Sequence, residues 1–331
     1  MGLMQKAKKT VRAIISRRNA DAGVDRKEKE FKRRFRQYAF SGEKCVDACQ
    51  YEAVVTRLYH TVEKGLSYVD YRAGFGRDNI ERLMAALRNY AEDGYDTERF
   101  FYKTALSVLH QYLRKNREHG CVDPELEQRV RRLKGTPNEA GGACSVTPLP
   151  EEKVRALGYG EFAVDRHSFR HFSKEPVDIG KVEAALDLAQ HTPSACNRQG
   201  WKARVIVNRD KIRAICDNQN GNRGFGHEFD KMIFVTGDIR CFNRDRELFQ
   251  VFIDGGMYAE NILNALHYCH IASVPLSASL TPNQEEQIRR LLNMDDAEVP
   301  VMLIGIGNYP ASDECLVARS ERKPAEYIIV D

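Results

Sequence analysis

The feature that most limits what this chain can fold into is a break in its pattern near the middle. From Lys134 to Pro150 it reads KGTPNEAGGACSVTPLP, dense in Gly, Pro, Thr and Ser, the composition of a connecting segment. Before the break, apolar residues recur at helical spacing. After it, amphipathic stretches alternate with short apolar runs. A chain of 331 residues divided in this way reads as two domains. Residues 1–150 are expected to be an all-helical N-terminal region, and residues 151–331 an α+β domain.

Within the first part, Phe31, Phe35 and Tyr38, then Val54, Val55 and Leu58, predict helix over 27–60, with Ser41-Gly42 as a break. DNIERLMAALRNYAE, residues 78–92, carries Ile80, Leu83, Met84 and Leu87 on one face, with Asp78 or Asn79 as its cap. Phe100, Phe101, Ala105, Leu106, Leu109 and Leu113 continue the pattern over 97–116. Pro124 opens a shorter helix to 134. In the second part, helices are expected at 179–191, 210–217, 246–270 and 283–293, and strands at 203–208, 231–237, 271–276 and 299–307. The long segment 246–270 is apolar on more than one side, so it should be deeply buried or sit at a subunit interface.

Charge is unevenly placed. Residues 1–36 hold thirteen Lys/Arg against four acids, so the positive charge is concentrated there and the rest of the chain is slightly acidic. This segment reads as a solvated tail, or as a weak association with an anionic membrane surface. Nucleic acid is not expected as a partner, because the cations lack interleaved aromatic platforms beyond Phe31, Phe35 and Tyr38. No stretch approaches the roughly 18 apolar residues needed to span a bilayer. The nine cysteines are odd in number, irregular in spacing and without a CxxC pair, which suggests reduced thiols and a cytoplasmic location. No metal site is expected, since His267, Cys269 and His270 have no second ligand pair at a suitable spacing.

Three separated segments carry candidate chemistry. RHSFR, Arg166–Arg170, offers two guanidiniums, an imidazole and a hydroxyl, and guanidiniums recognise phosphate bidentately. Its bland alternative is a surface charge run. PSACNRQGW, residues 193–201, sets the amides Asn197 and Gln199 before an apolar run, offering donors and acceptors that suit the edge of a heterocycle. Its bland alternative is a turn joining a helix to a strand. ARSERKP, residues 318–324, repeats the cationic theme. GNRGFG, residues 221–226, has phosphate-loop glycines in the wrong order for a dinucleotide fingerprint and reads as a mobile loop, with a place near a ligand as the alternative. Cys196 has no evident paired His and reads as a small thiol. No residue stands out as a catalytic acid, base or nucleophile.

The order of these segments resembles the nitroreductase family of FMN-dependent oxidoreductases. The series is RHSFRHF, a helix, PSACNRQGW, a strand, a long helix with DGGMYAEN, then SVPL, GIGNYP and RSERKP. That family opens with Arg-x-Ser-x-Arg/Lys and an aromatic, and follows with Pro-Ser-x-x-Asn-x-Gln-Pro-Trp. The resemblance covers about Phe162–Val330. It implies a nitroreductase-like three-layer α-β-α domain, a homodimer, two FMN molecules at its interface, and hydride transfer in alternating half-reactions. The donor would be NADH or NADPH and the acceptor a small molecule such as a nitroaromatic or quinone. By the resemblance, Arg166, Ser168 and Arg170 hold the FMN phosphate and the pyrimidine edge of its ring, with His167 contributing by backbone or ring. Pro193, Ser194 and Asn197 approach the flavin, in part from the partner subunit. Pro275, Leu276 and Ser277 lie against the flavin ring, and Arg322 binds its phosphate.

The chain departs from that family's habit at Gly200, where Pro is common and the turn before Trp201 is loosened. It departs at Ser277-Ala278, where an acid is common, and at Ser320, where a basic residue is common, with Arg319 a candidate substitute. These departures leave an alternative: a degenerate flavin-binding or scaffold protein associated with a membrane-bound biosynthetic complex, such as one for polysaccharide synthesis. YHTVEKGLS, residues 59–67, and RAGFGRD, residues 72–78, are similar to a helical extension of some nitroreductase-like proteins. His60, Glu63 and Lys64 there read as an ion-paired helix end with Gly65 at its cap, or as a site lining.

Overall fold

The computed structural model describes Cys45, residues 47–242, 247–311 and 315–330, and isolated positions between 22 and 33. The readings placed on residues 1–36 and on the start of the 27–60 helix fall outside the described residues. The chain divides into two compact units. One joins Phe40–Pro148 to Ser312–Asp331, and the other contains Leu149–Ala311.

In the first unit, Asp47 accepts a hydrogen bond from the Gln50 backbone N–H (2.8 Å) and starts α1, Ala48–Leu66. The helix runs through Gly65, which is therefore not its cap. Gly65 is instead the seat of the Phe75 ring, and a Cβ there would come within 2.1 Å of that ring. Helix α2, Arg77–Glu92, is capped by Gly76 in the left-handed region (φ 66°), ahead of Asp78 and Asn79. Helix α3 spans Phe100–Glu118, and α4, Pro124–Arg131, is capped by the Asp123 carboxylate. Val55, Val62, Leu66, Ile80, Leu83, Leu87, Leu106 and Leu109 form a buried core with stacked Tyr90 and Tyr95.

Part of the Gly/Pro-rich segment is not a linker. Ala143–Val146 forms β1 and pairs antiparallel with β6, Cys315–Ala318. Residues 312–331, grouped by the sequence with the second half, thus fold with the helices. Glu63, fully buried, ties this corner together. It accepts from the Gly142 backbone N–H (3.0 Å) and lies 3.1 Å from His60 Nδ1. His60 Nδ1 is in turn 3.4 Å from Ser320 Oγ.

The second unit begins with two short helices, α5 (Glu151–Ala156) and α6 (Tyr159–Asp165), followed by α7, Ile179–Ala189. Then come β2 (Trp201–Ile206), α8 (Arg209–Asn218) and β3 (Lys231–Asp238). After these come α9 (Gln250–Tyr268), β4 (Ala272–Ser277), α10 (Pro282–Leu292) and β5 (Glu298–Gly307). The four strands form one antiparallel sheet in the order β2-β3-β5-β4. All eight residues of β3 are buried, so both faces of the sheet are covered. Ile233, Val235, Ile304 and Ile306 pack with α7 and α9 on one face. Strand period sends Met232, Phe234 and Leu303 to the other, where α8 lies against β2 and β3. This is the expected α+β architecture in three layers. Trp201 is an anchor within it: its ring stacks on Tyr258 at 4.7 Å, and its N–H donates to Gln190 (3.2 Å).

Candidate functional site

The run Arg166–Arg170 leaves α6 in extended conformation. Its start is fixed by Asp165, whose carboxylate lies 3.2 Å from Nε2 of buried His267, while the Nδ1 of that ring lies 3.1 Å from the Tyr309 hydroxyl. Burial pushes the His267 pKa down to about 4, against the opposing pull of Asp165, so the ring is neutral near pH 7. From there the run meets β4. The Phe169 N–H donates to the Ser273 carbonyl at 3.0 Å. Strand β4 is an edge of the sheet, where Pro275 is tolerated because its position needs no N–H on the outer side. Phe169 and Phe172 turn inward, the first against Tyr309 (4.9 Å) and the second over Gly307, where a Cβ would clash.

Arg166, His167 and Ser168 remain half-buried, and Arg170 is only 9% exposed. The Arg170 guanidinium donates to the Ser168 carbonyl (3.3 Å) and its carbon lies 5.6 Å from the centre of the Phe225 ring. The loop that carries Phe225 closes on the end of β4, where Gln219 Nε2 donates to the Ser277 carbonyl at 3.0 Å. Asn222 braces this loop by donating to the carbonyls of Cys216 (2.8 Å) and Gln219 (2.6 Å). The fold therefore bonds the run to β4 at Ser273, sets Arg170 over Phe225, and ties the loop of Gln219 and Phe225 to Ser277. Sequence reasoning named the GNRGFG loop but missed Gln219. No periodicity marks a contact made across 58 residues.

Pro193, Ser194 and Asn197 form a second group. Cys196 (φ 54°), Asn197 (φ 54°) and Gln199 (φ 49°) are all left-handed, at a cost of about 1–2 kcal/mol per residue. Local bonds hold the conformation. The Gln199 N–H donates to Ser194 Oγ (3.0 Å), and Arg198 makes two hydrogen bonds to Glu247 (3.1 and 2.6 Å). The Ala195 N–H donates to Asp254 of α9 (3.1 Å), a carboxylate 1% exposed and also bonded by Gln250. Gly200 packs tightly: a Cβ would come 3.0 Å from the Cys241 Cβ. The departure from Pro at this position thus goes with a close approach, not a loosened turn. Arg322 stands in the helical unit, where its guanidinium donates to the Ser320 carbonyl. Among the described residues, no three His, Cys, Asp or Glu side chains gather as a metal site.

The model of the Nitroreductase family matches residues 163–220. A protein of Methanothermobacter thermautotrophicus that bears the name NADH dehydrogenase/NAD(P)H nitroreductase is 26% identical over 172 residues, 51% of this chain and 85% of that one. The second half of this chain is thus similar to proteins of the nitroreductase family. Among solved structures, an NADH dehydrogenase/NAD(P)H nitroreductase of that name from Parabacteroides distasonis has 22% identity. It covers 52% of this chain and 95% of its own, with a TM-score of 0.45. An FMN-dependent nitroreductase of Clostridium difficile has 18% identity, covers 45% and 86%, and gives a TM-score of 0.40. No helix among the described residues is long and apolar enough to cross a membrane.

Proposed function

We propose that the chain is an FMN-dependent oxidoreductase that passes a hydride from NADH or NADPH, by way of the flavin, to a small-molecule acceptor in alternating half-reactions. The observation that carries this reading is Arg170, a nearly buried guanidinium beside the strand that holds Pro275, Leu276 and Ser277. A flavin offers an anionic phosphate at one end and carbonyl and nitrogen acceptors along its pyrimidine edge. The donors along the run suit both ends, and the aromatic face of Phe225 beneath Arg170 keeps water from that side. Bound FMN would supply the two-electron redox chemistry. Arg166 would bind the phosphate, and Ser168 and Arg170 would orient the ring. Arg170 would also favour negative charge developing at the pyrimidine edge in a dry site. Leu276, buried, and Pro275 would form an apolar wall.

A homodimer belongs to this proposal. Phe249, Phe252, Ile253 and Met257 are 36–53% exposed along one side of α9, while its other side is buried under the sheet. An apolar stripe of this kind is suited to cover by a second copy of itself. The Pro193–Asn197 loop is fastened to the same end of α9 through Asp254, so a second copy would present that loop beside the first.

The absorption spectrum of the purified full chain tests the reading. Bands near those of free flavin, bleached anaerobically by NADH or NADPH, are expected. A colourless protein that takes up no added FMN overturns the proposal, and a yellow protein that neither nucleotide reduces overturns the donor assignment. Arg166→Ala should lose most of its flavin while its far-UV circular dichroism is unchanged, as befits one charge-assisted contact of about 1.5–3 kcal/mol.

A further inference from the structure

Two anchors hold the run between α6 and β4, and both end on one buried pair of side chains. Asp165 stands immediately before Arg166, and its carboxylate lies 3.2 Å from Nε2 of His267. Phe169 stands immediately after Ser168, and its ring meets the Tyr309 ring edge-on at 4.9 Å. His267 and Tyr309 are themselves joined, Nδ1 to hydroxyl, at 3.1 Å. Arg166, His167 and Ser168 are thus a three-residue arch whose two feet rest on a single imidazole–phenol pair.

The pair comes from elements far from the run in sequence. His267 is in the last turn of α9, and Tyr309 follows the end of β5. The His267 ring, 3% exposed, packs at 4.8 Å on Phe162, one turn before Asp165 on α6. The Tyr309 ring also meets the His270 ring at 4.7 Å, and His270 Nε2 lies 3.0 Å from the Leu149 carbonyl. Both members of the pair are therefore held in place by aromatic neighbours as well as by each other.

Burying an imidazole has a cost that an apolar side chain of similar size avoids. What the imidazole adds is a polar atom on each of two edges. An ionised Asp165 beside Nε2 favours the tautomer with its proton there, which leaves the Nδ1 lone pair to accept from the Tyr309 hydroxyl. A leucine would fill the space and link neither foot. We propose that His267 is a positioning residue: through Asp165 and Tyr309 it sets the separation of the two feet, and so the direction in which Arg166 and Ser168 face a ligand. The choice of FMN as that ligand rests on the flavin reading, whereas the arch does not.

Tryptic cleavage and FMN titration of the full chain test the two parts separately. Trypsin cuts after Arg166 when that segment opens locally, so the rate reads the hold on the arch. In flavin-free protein, His267→Leu should be cut there about tenfold faster than wild type, the size of one buried hydrogen bond, while cleavage elsewhere keeps its wild-type rate. FMN affinity, read from the quenching of flavin fluorescence, should fall by a similar factor. His267→Gln, whose amide nitrogen reaches the place of Nε2, should recover part of both losses. Tyr309→Phe removes a single oxygen and serves where His267→Leu folds poorly; it should show both effects more weakly. Wild-type cleavage after Arg166 in both His267→Leu and Tyr309→Phe overturns the proposal. Cleavage that rises equally at every site also overturns it, because His267 is then a structural residue only. Faster cleavage after Arg166 with unchanged FMN affinity overturns the positioning role. A wild type that takes up no FMN overturns the flavin reading instead, and proteolysis alone then decides the arch.

Discussion

Lys202, Arg204 and Arg240 stand around Glu298 and Asp238, while Arg209, Arg213 and Arg223 stand around a cavity of about 210 Å³ between α8 and the loop 221–229. In the sequence both sets are cations near the ends of predicted strands and helices. In the fold their surroundings differ. Glu298, 2% exposed, accepts from both Arg204 and Lys202, the latter at 3.0 Å, and from the Thr236 hydroxyl at 2.9 Å. Asp238 accepts from Lys202 (3.0 Å) and Arg240 (2.6 Å). These cations are answered from within the chain, and they bind β2, β3 and β5 to one another. Of the cavity set, Arg209 pairs with Asp230 at 3.1 Å, and Asp217 also lines the hollow. The difference teaches how to sort basic residues: Lys202, Arg204 and Arg240 are tied to acids of the sheet, whereas Arg213 makes no ion pair with any described residue.

The comparison can be broken most forcefully at Glu298. Glu298→Ala should destabilise the sheet unit by about 3–5 kcal/mol, because it removes the buried carboxylate that several charge-assisted hydrogen bonds share. Urea unfolding would register this.

A somewhat smaller effect is expected from acid. Burial raises the Glu298 pKa, but hydrogen bonds from Arg204, Lys202 and Thr236 outweigh it and hold the carboxyl at about 2. A depressed folded-state pKa contributes stability that is fully present above the ordinary value of about 4.5 and is lost as pH falls toward 2. The contribution is about 3 kcal/mol. Asp238, depressed chiefly by its hydrogen bond with Arg240, adds to the same trend. Thermal unfolding followed from pH 5 to pH 2 should show this slope in wild type and a flatter one in Glu298→Gln. The smallest effect belongs to the cavity rim. Arg213→Gln should alter stability by less than about 0.5 kcal/mol, as exposed substitutions do, and a larger loss would mark Arg213 as structural.

Much of the fold was legible along the chain because helical and strand periods are local. The segments of α2, α3, α7, α8, α9 and β2–β5 appear within a few residues of where their apolar spacing puts them. Pairings between distant segments were not legible. KGTPNEAGGACSVTPLP has the composition of a linker, yet Ala143–Val146 finds Cys315–Ala318 and carries the last twenty residues to the helical unit. Gly65 and Gly200 read as turn residues, but each is small because something distant packs on it, Phe75 in one case and Cys241 in the other. For the candidate site, the residue types in RHSFR and SVPLS were visible. Their meeting depends on one backbone bond, from Phe169 to Ser273, that no pattern announces.

By itself, then, the sequence determined which segments are helix and strand, where the cations and amides lie, and which family the second half resembles. Tertiary structure alone decided which cations have internal acids, which glycines are contact points, and that a cavity opens between α8 and its loop. The physical reason is that period and composition act over a few residues, whereas burial and charge pairing depend on partners that only folding brings near.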